Sequence, residues 1–243
     1  MRELFEAILY QPIFNIFVGL YNLIPDIGVV ILIITIILKV VLYPMTKKSI
    51  EAQKSMTDLQ PKLEELKVKY KNDQQTLAQE TMRLYKENKV NPLGSCLPVL
   101  VQLPVFIAIY WVLQAGLSAE QNFDALYSFI KNPGHINTIS LGFIDLGQKS
   151  IVLAALAGIS QFWQSKMMQS KKAPKEAGAG GKDESTMSMV NKQMLYLMPG
   201  LTFIIGMSFP GGLAFYWFLS TFLTALQQKL TLDGKKTPDH PTT

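Results

Sequence analysis

Between Ile27 and Tyr43 the chain is apolar except for Thr35 and Lys39. In hydrocarbon such a run can satisfy its own backbone only as a helix, so it predicts a membrane-spanning helix that carries a cation. A lysine at that depth costs about 2.5–3.5 kcal/mol on insertion scales unless it snorkels, pairs or faces water. The run holds no carboxylate to pair with it. Either Lys39 reaches the membrane edge near Pro44, about 7 Å along the helix, or the helix borders a water-filled space inside the bilayer.

The rest of the chain repeats the pattern. It is 49% hydrophobic with a mean hydropathy of +0.19, and the apolar residues come in blocks. Blocks at 25–44, 93–117, 149–168, 194–209 and 211–230 predict an all-α membrane protein with five transmembrane helices, since a crossing needs about 20 apolar residues. The fourth block is short, which implies local bilayer thinning. Pro210-Gly211-Gly212 suits a tight reversal that makes the last two spans neighbours. Lysine and arginine concentrate in 45–92, in 169–193 and near the end, in the tail 231–243 with Lys229 just before it. The positive-inside rule then puts the N-terminus outside and the C-terminus in the cytoplasm. Residues 118–148 become an extracytoplasmic loop and 169–193, with its Ala-Gly run, a flexible cytoplasmic one. Residues 1–24 mix Arg2, Glu3, Glu6, Gln11 and Asn15 with an apolar face, which predicts a helix lying in the outer interface rather than a cleavable signal.

Residues 45–92 have another character: charged, free of glycine from Thr46 to Asn91, and periodic. Leu59, Leu63, Leu66 and Tyr70 follow a 4-3-4 spacing, and Leu84 with Tyr85 continue it beyond Lys71-Asn72-Asp73. The spacing predicts a cytoplasmic helical hairpin, with Asp58–Lys62 and Glu65–Lys69 pairs on its surface. Connections between bundle helices usually take 2–8 residues, so a hairpin this long points to contacts with clients or partners.

Polar residues inside the spans lie towards one side. Thr35, Lys39 and Tyr43 share a face; Gln102 lies in the inner third of the second span; Gln161 and Gln164 end the third. Trp217, Ser220, Thr221 and Thr224 run inward along the fifth. Turned together, these stripes predict a wet cavity open to the cytoplasm and closed outside; alternatively the glutamines only join helices by hydrogen bonds. Cys96 is alone, so no intrachain disulfide can form, and His135 and His240 lie outside the spans. No metal or cofactor is expected.

Thr35 through Lys39 to Pro44, Gln60-Pro61, Lys69-Tyr70-Lys71, Leu84-Tyr85-Lys86, Asn91-Pro92, Cys96-Leu97-Pro98 and Gln102-Leu103-Pro104 resemble the YidC/Oxa1/Alb3 membrane protein insertases. Pro210-Gly211-Gly212-Leu213, Tyr216-Trp217 and Gln227-Gln228 resemble that family's last helix, so the likeness runs from about residue 25 to 230. It implies a non-enzymatic insertase and chaperone of the bacterial inner or plasma membrane, working without nucleotide hydrolysis. Clients with short, often acidic translocated segments would pass through an inner-leaflet groove lined by Thr35, Lys39, Gln102, Gln161, Gln164, Trp217, Ser220, Thr221 and Thr224 into the lipid bilayer. The hairpin would receive clients. The same resemblance extends the partners to a Sec translocon, the signal recognition particle receptor and the ribosome, with no direct nucleic-acid binding. Two positions depart from the family: Lys39 stands where arginine is usual, and Thr221 where asparagine is frequent.

Other classes fit less well. A secondary transporter would show paired repeats and polarity reaching both faces. An intramembrane protease would need a nucleophile with a base or paired aspartates, and no span holds His or a pair of Asp. An assembly chaperone that moves no charge differs from an insertase only at Lys39 and the cavity.

Overall fold

The computed structural model describes residues 2–117, 121–168 and 195–233, with Arg2 and residues 92–99 described by backbone only. The loop expected at 169–193 and nearly all of the tail 231–243 lie outside the described residues.

The chain begins with α1 (Arg2–Phe5), a π-helical turn (Glu6–Tyr10) and α2 (Gln11–Leu23). Pro12 has no N–H to give to the preceding turn, and the Gln11 N–H reaches back to Glu6, widening the helix there. Next come α3 (Ile27–Lys69), α4 (Gln74–Glu87), α5 (Pro92–Leu117), the strands β1 (Ile139–Ser140) and β2 (Ile144–Asp145), α6 (Ile151–Met167), α7 (Leu195–Gly206) and α8 (Gly211–Asp233). Among the described residues, Glu3–Leu23, Ile27–Lys69 and Leu100–Leu117 are long and apolar enough to cross a membrane; Leu195–Gly206 is a shorter apolar helix.

Helix α3 is the spine. Its 43 residues correspond to about 65 Å, twice the hydrocarbon thickness of a bilayer. The apolar run and the first arm of the hairpin are therefore one continuous helix. Pro44 and Pro61 sit inside it, each removing one backbone bond without ending it. The surrounding stretch has no glycine, and Gln227 Nε2 donates to the Tyr43 carbonyl at 3.2 Å, bracing the helix beside Pro44. Beyond that point Ser49, Ile50, Thr57 and Leu59 are still buried, and the Thr57 hydroxyl approaches the Met168 carbonyl. The chain turns at Tyr70–Asp73, where the Asp73 carboxylate accepts from the N–H and hydroxyl of Thr76 to start α4. Leu63, Leu66, Tyr70, Leu84 and Tyr85 are half-buried along this hairpin, whereas none of α4 is fully buried. Asp58 pairs with Lys54, one turn before it, where the spacing predicts Lys62, one turn after it, and Arg83 bridges Glu80 and Glu87. Such exposed pairs contribute about 0–1 kcal/mol, so the exchange matters little.

The core forms where α3, α5 and α8 meet, through residues such as Ile31, Ile34, Ala108, Val112, Leu213 and Ala214. Helix α6 docks along α8. Buried Ala154, Ala157 and Gly158 let α7 approach closely: a Cβ on Gly158 would meet the Pro199 carbonyl at 3.1 Å.

A roof of α2 and the 121–150 loop closes one end. Asp26 caps α3, its Oδ1 accepting from the N–H of Gly28 at 2.9 Å and Val29 at 3.1 Å. The same carboxylate accepts from Ser140 Oγ and the Leu141 N–H, both at 2.7 Å, tying β1 to the helix. At the start of α8 the Gly211 and Gly212 N–H groups donate to the Gln148 and Leu146 carbonyls at 2.7 Å. Donors that a helix start normally leaves unpaired are thus used to hold the loop. Gly211 must be glycine here, because a Cβ would lie 2.8 Å from the Gln148 oxygen.

Asp26→Ala removes the cap of α3 and its tie to β1 together, and should cost about 2 kcal/mol, read as a lower midpoint of thermal unfolding in detergent.

Candidate functional site

The site lies where α3, α5 and α8 turn their few polar side chains towards one another. On α3 the residues Thr35, Lys39 and Tyr43 follow one stripe. Thr35 is fully buried and its hydroxyl donates to the Ile31 carbonyl at 2.6 Å, so it serves its own helix. Lys39 reaches across instead. Its Nζ donates to Thr224 Oγ1 of α8 at 2.7 Å, and that hydroxyl donates onward to the Ser220 carbonyl at 2.8 Å. An ammonium has three donors, and one hydroxyl engages one of them. Lys39 is half-buried, and among the described residues no carboxylate pairs with it. The cation is held in place without being neutralised.

About two turns nearer the roof along α8, Gln102 Nε2 of α5 donates to the phenol oxygen of Tyr216 at 3.0 Å. Tyr216 is buried, and the Ser220 side chain interacts with the same phenol. Two cross-helix links therefore meet on one face of α8, at positions 216, 220 and 224, four residues apart. Towards the roof the polar face ends in an aromatic cluster. Phe106 packs edge-on against Trp217 (5.2 Å between centroids) and Phe209, and Tyr110 meets Phe209. Thr221 is buried one position further round α8.

The structure thus joins Lys39, Thr224, Ser220 and Gln102 of the expected residues. It places Thr35 beside them, inward-facing, and Trp217 on their roof side. Gln161 and Gln164 are half-buried in the last turns of α6, and the described hydrogen bonds do not connect them to Lys39. Tyr216 was not among the expected site residues, although its spacing to Ser220 and Thr224 was available in the sequence; the neighbouring tryptophan drew the stripe one position round the helix. Gln228 is 1% exposed, and among the described residues its amide nitrogen has no hydrogen-bond partner, a polar group at the far end of the same helix. Among the described residues there is no cluster of three His, Cys, Asp or Glu to hold a metal ion. The arrangement can attract and hydrogen-bond an anionic or polar chain.

Residues 19–237 match the family described as 60Kd inner membrane protein. A membrane protein insertase YidC of Fusobacterium nucleatum is 37% identical over 202 residues, covering 83% of each chain. Insertases of the same name from Haemophilus influenzae and Geobacter sulfurreducens are 31% and 32% identical over 92% and 91% of this chain, but over only 36% of their own length. The chain therefore spans about a third of those longer relatives. A solved structure titled "Active YidC insertase crystal structure with the first transmembrane domain resolved" superposes with a TM-score of 0.55 at 20% identity, over 96% of this chain and 47% of that one. That likeness is one of fold.

Removing one partner of a buried hydrogen bond strands the other. Tyr216→Phe should cost about 1 kcal/mol in thermal unfolding in nanodiscs by stranding Gln102. For the charged pair, a cycle of Lys39→Ala, Thr224→Val and the double variant should give a coupling of about 1.5 kcal/mol. Simple additivity would mean that the 2.7 Å contact contributes nothing.

Proposed function

The chain belongs to the 60Kd inner membrane protein family, that of the YidC insertases, and from that premise we propose that it is a membrane protein insertase using the Lys39 network as its groove. The observation that carries this reading is an ammonium half-buried between α3 and α8, fixed by Thr224 and without a carboxylate partner among the described residues. A client's short acidic or polar segment would be drawn to Lys39 from the cytoplasmic side. Gln102, Ser220, Thr221, Thr224, and Gln161 with Gln164 at the inner end, would solvate it while Thr35 and Trp217 line the closed end. The client's apolar segment would leave along the exposed apolar flanks of α3 and α5, where Ile36, Val40, Leu103 and Ile107 face outward. Nothing in that sequence of steps breaks a covalent bond or needs a nucleotide; the hydrophobic transfer of the client supplies the drive.

In this reading the spans are residues 25–44, which enter α3 at Ile27, with α5, α6, α7 and α8, in a bacterial plasma membrane, N-terminus outside and C-terminus inside. The roof supports the outward assignment of the closed end, since it carries few cations while the α3–α4 hairpin carries many. Helix α2 lies along the outer interface rather than across the bilayer. Gln11, Asn15 and Asn22 contact the loop carbonyls of Ala125 and Lys131 over about 16 Å of helix, whereas a crossing helix would meet an outer loop only at its end. The hairpin, with its half-buried seam of Leu63, Leu66, Tyr70, Leu84 and Tyr85 beyond Leu59, would meet incoming clients, a Sec translocon, the signal recognition particle receptor or the ribosome.

The test is insertion of a single-span client with an acidic N-tail into liposomes holding wild type, Lys39→Arg, Lys39→Ala or Lys39→Glu. At a separation of about 6 Å and an effective dielectric of about 40 the attraction is about 1.4 kcal/mol, or about tenfold in rate. Arginine should retain activity, alanine should lose about tenfold, and glutamate more. Equal insertion by all four would remove the charge from the mechanism and, with it, this reading.

A further inference from the structure

The hairpin β1–β2 in the roof carries a turn that violates two preferences at once. Leu141 and Gly142 both have positive φ, 51° and 81°, and the Phe143 N–H closes the turn on the Ser140 carbonyl at 3.2 Å. A β-turn with positive φ at both central residues favours Gly, Asn or Asp there, because most side chains at its first position are strained. Leucine occupies that position here, and it is 63% exposed; Phe143 beside it is 77% exposed. Among the described residues neither side chain joins the hydrophobic core or packs against it.

The height of the hairpin identifies the medium these side chains meet. Asp26 Oδ2 takes the Leu141 N–H, and Asp26 is the residue immediately before the apolar run. A Cβ on Gly28 would lie 2.1 Å from Ser140 Oγ, so β1 is pressed onto the first turn of α3. The turn therefore stands level with the start of the spanning helix. Exposed apolar residues continue around that level through Leu23 and Ile24 ahead of α3 and Ile151 and Val152 at the start of α6. From Ile139 to Ile144 the hairpin carries no charge.

We propose that the Leu141–Phe143 tip is a membrane anchor that enters the outer headgroup–acyl boundary. Its occupant is lipid, because the tip is uncharged and continuous with the surface that the spans present to the bilayer. Through Asp26 the anchor fixes the depth of the roof relative to the N-terminus of the helix that carries Lys39. A turn residue that is unfavourable for the isolated hairpin becomes favourable when its side chain has hydrocarbon to enter.

The experiment uses the full chain in nanodiscs of phosphatidylethanolamine and phosphatidylglycerol, in a Cys96→Ser background. Bimane is placed singly at Leu141→Cys, Phe143→Cys and the exposed loop position His135→Cys. Positions 141 and 143 should be quenched by lipid brominated high in its acyl chain and shielded from aqueous iodide, with 135 showing the reverse. Iodide reaching all three alike would overturn the proposal in favour of a solvated turn. Protection of 141 and 143 from both quenchers would overturn it in favour of a protein occupant, a second copy included. Leu141→Asn supplies the residue that the turn prefers. Its thermal midpoint in detergent should hold or rise while lipid quenching at position 143 is lost; unchanged quenching would also overturn the proposal.

Discussion

An ammonium group carried deep into an apolar helix must be solvated by something, and what solvates Lys39 organises this bundle. Thr224 is the first partner, and it can serve only because α8 runs beside α3 with positions 216, 220 and 224 turned inward. Tyr216 in turn collects Gln102 from α5. Three helices that bury mostly hydrocarbon are thereby given a unique rotation about their axes. Apolar packing alone discriminates poorly between rotations, whereas a hydrogen bond in a low-dielectric setting is lost outright by a small turn of either helix.

The two ends of the bundle are built on opposite principles. At the roof, backbone donors of α3 and α8 are consumed by loop acceptors, and close approaches at Gly28 and Gly211 leave no room for a side chain. At the other end α3 runs on without a break, Gln227 supports the Tyr43 carbonyl beside Pro44, and the hairpin stands clear with no fully buried residue in α4. A rigid cap above the Lys39 network is in keeping with the proposed entry of a client from one side only.

Much of this was legible one-dimensionally. Lys39 in its run, the inward stripe on the last helix and the hairpin seam all follow from spacing, because a helix fixes which residues share a face. Other features were not. Thr35 lies on the Lys39 stripe yet bonds to its own backbone, since a threonine hydroxyl can always reach the carbonyl four residues back. Pro44 reads as a boundary, yet the helix passes through it, since the loss of one bond does not break a helix braced from outside. The choice between Tyr216 and Trp217 could not be made from periodicity, because adjacent positions differ by about 100° and either could face α5.

The sequence by itself determined that the chain is helical, that its apolar blocks belong in a membrane, and that a lone cation rides in the first of them. Those conclusions rest on local physics: backbone groups in hydrocarbon must be paired within the segment, and an ionised side chain there is expensive. Only the tertiary structure decided which hydroxyl receives Lys39, which glutamine meets it through Tyr216, and that Asp26 ties the roof to the spine. Each of these contacts joins residues more than a hundred positions apart. Their selection depends on how whole helices pack, which no local pattern encodes.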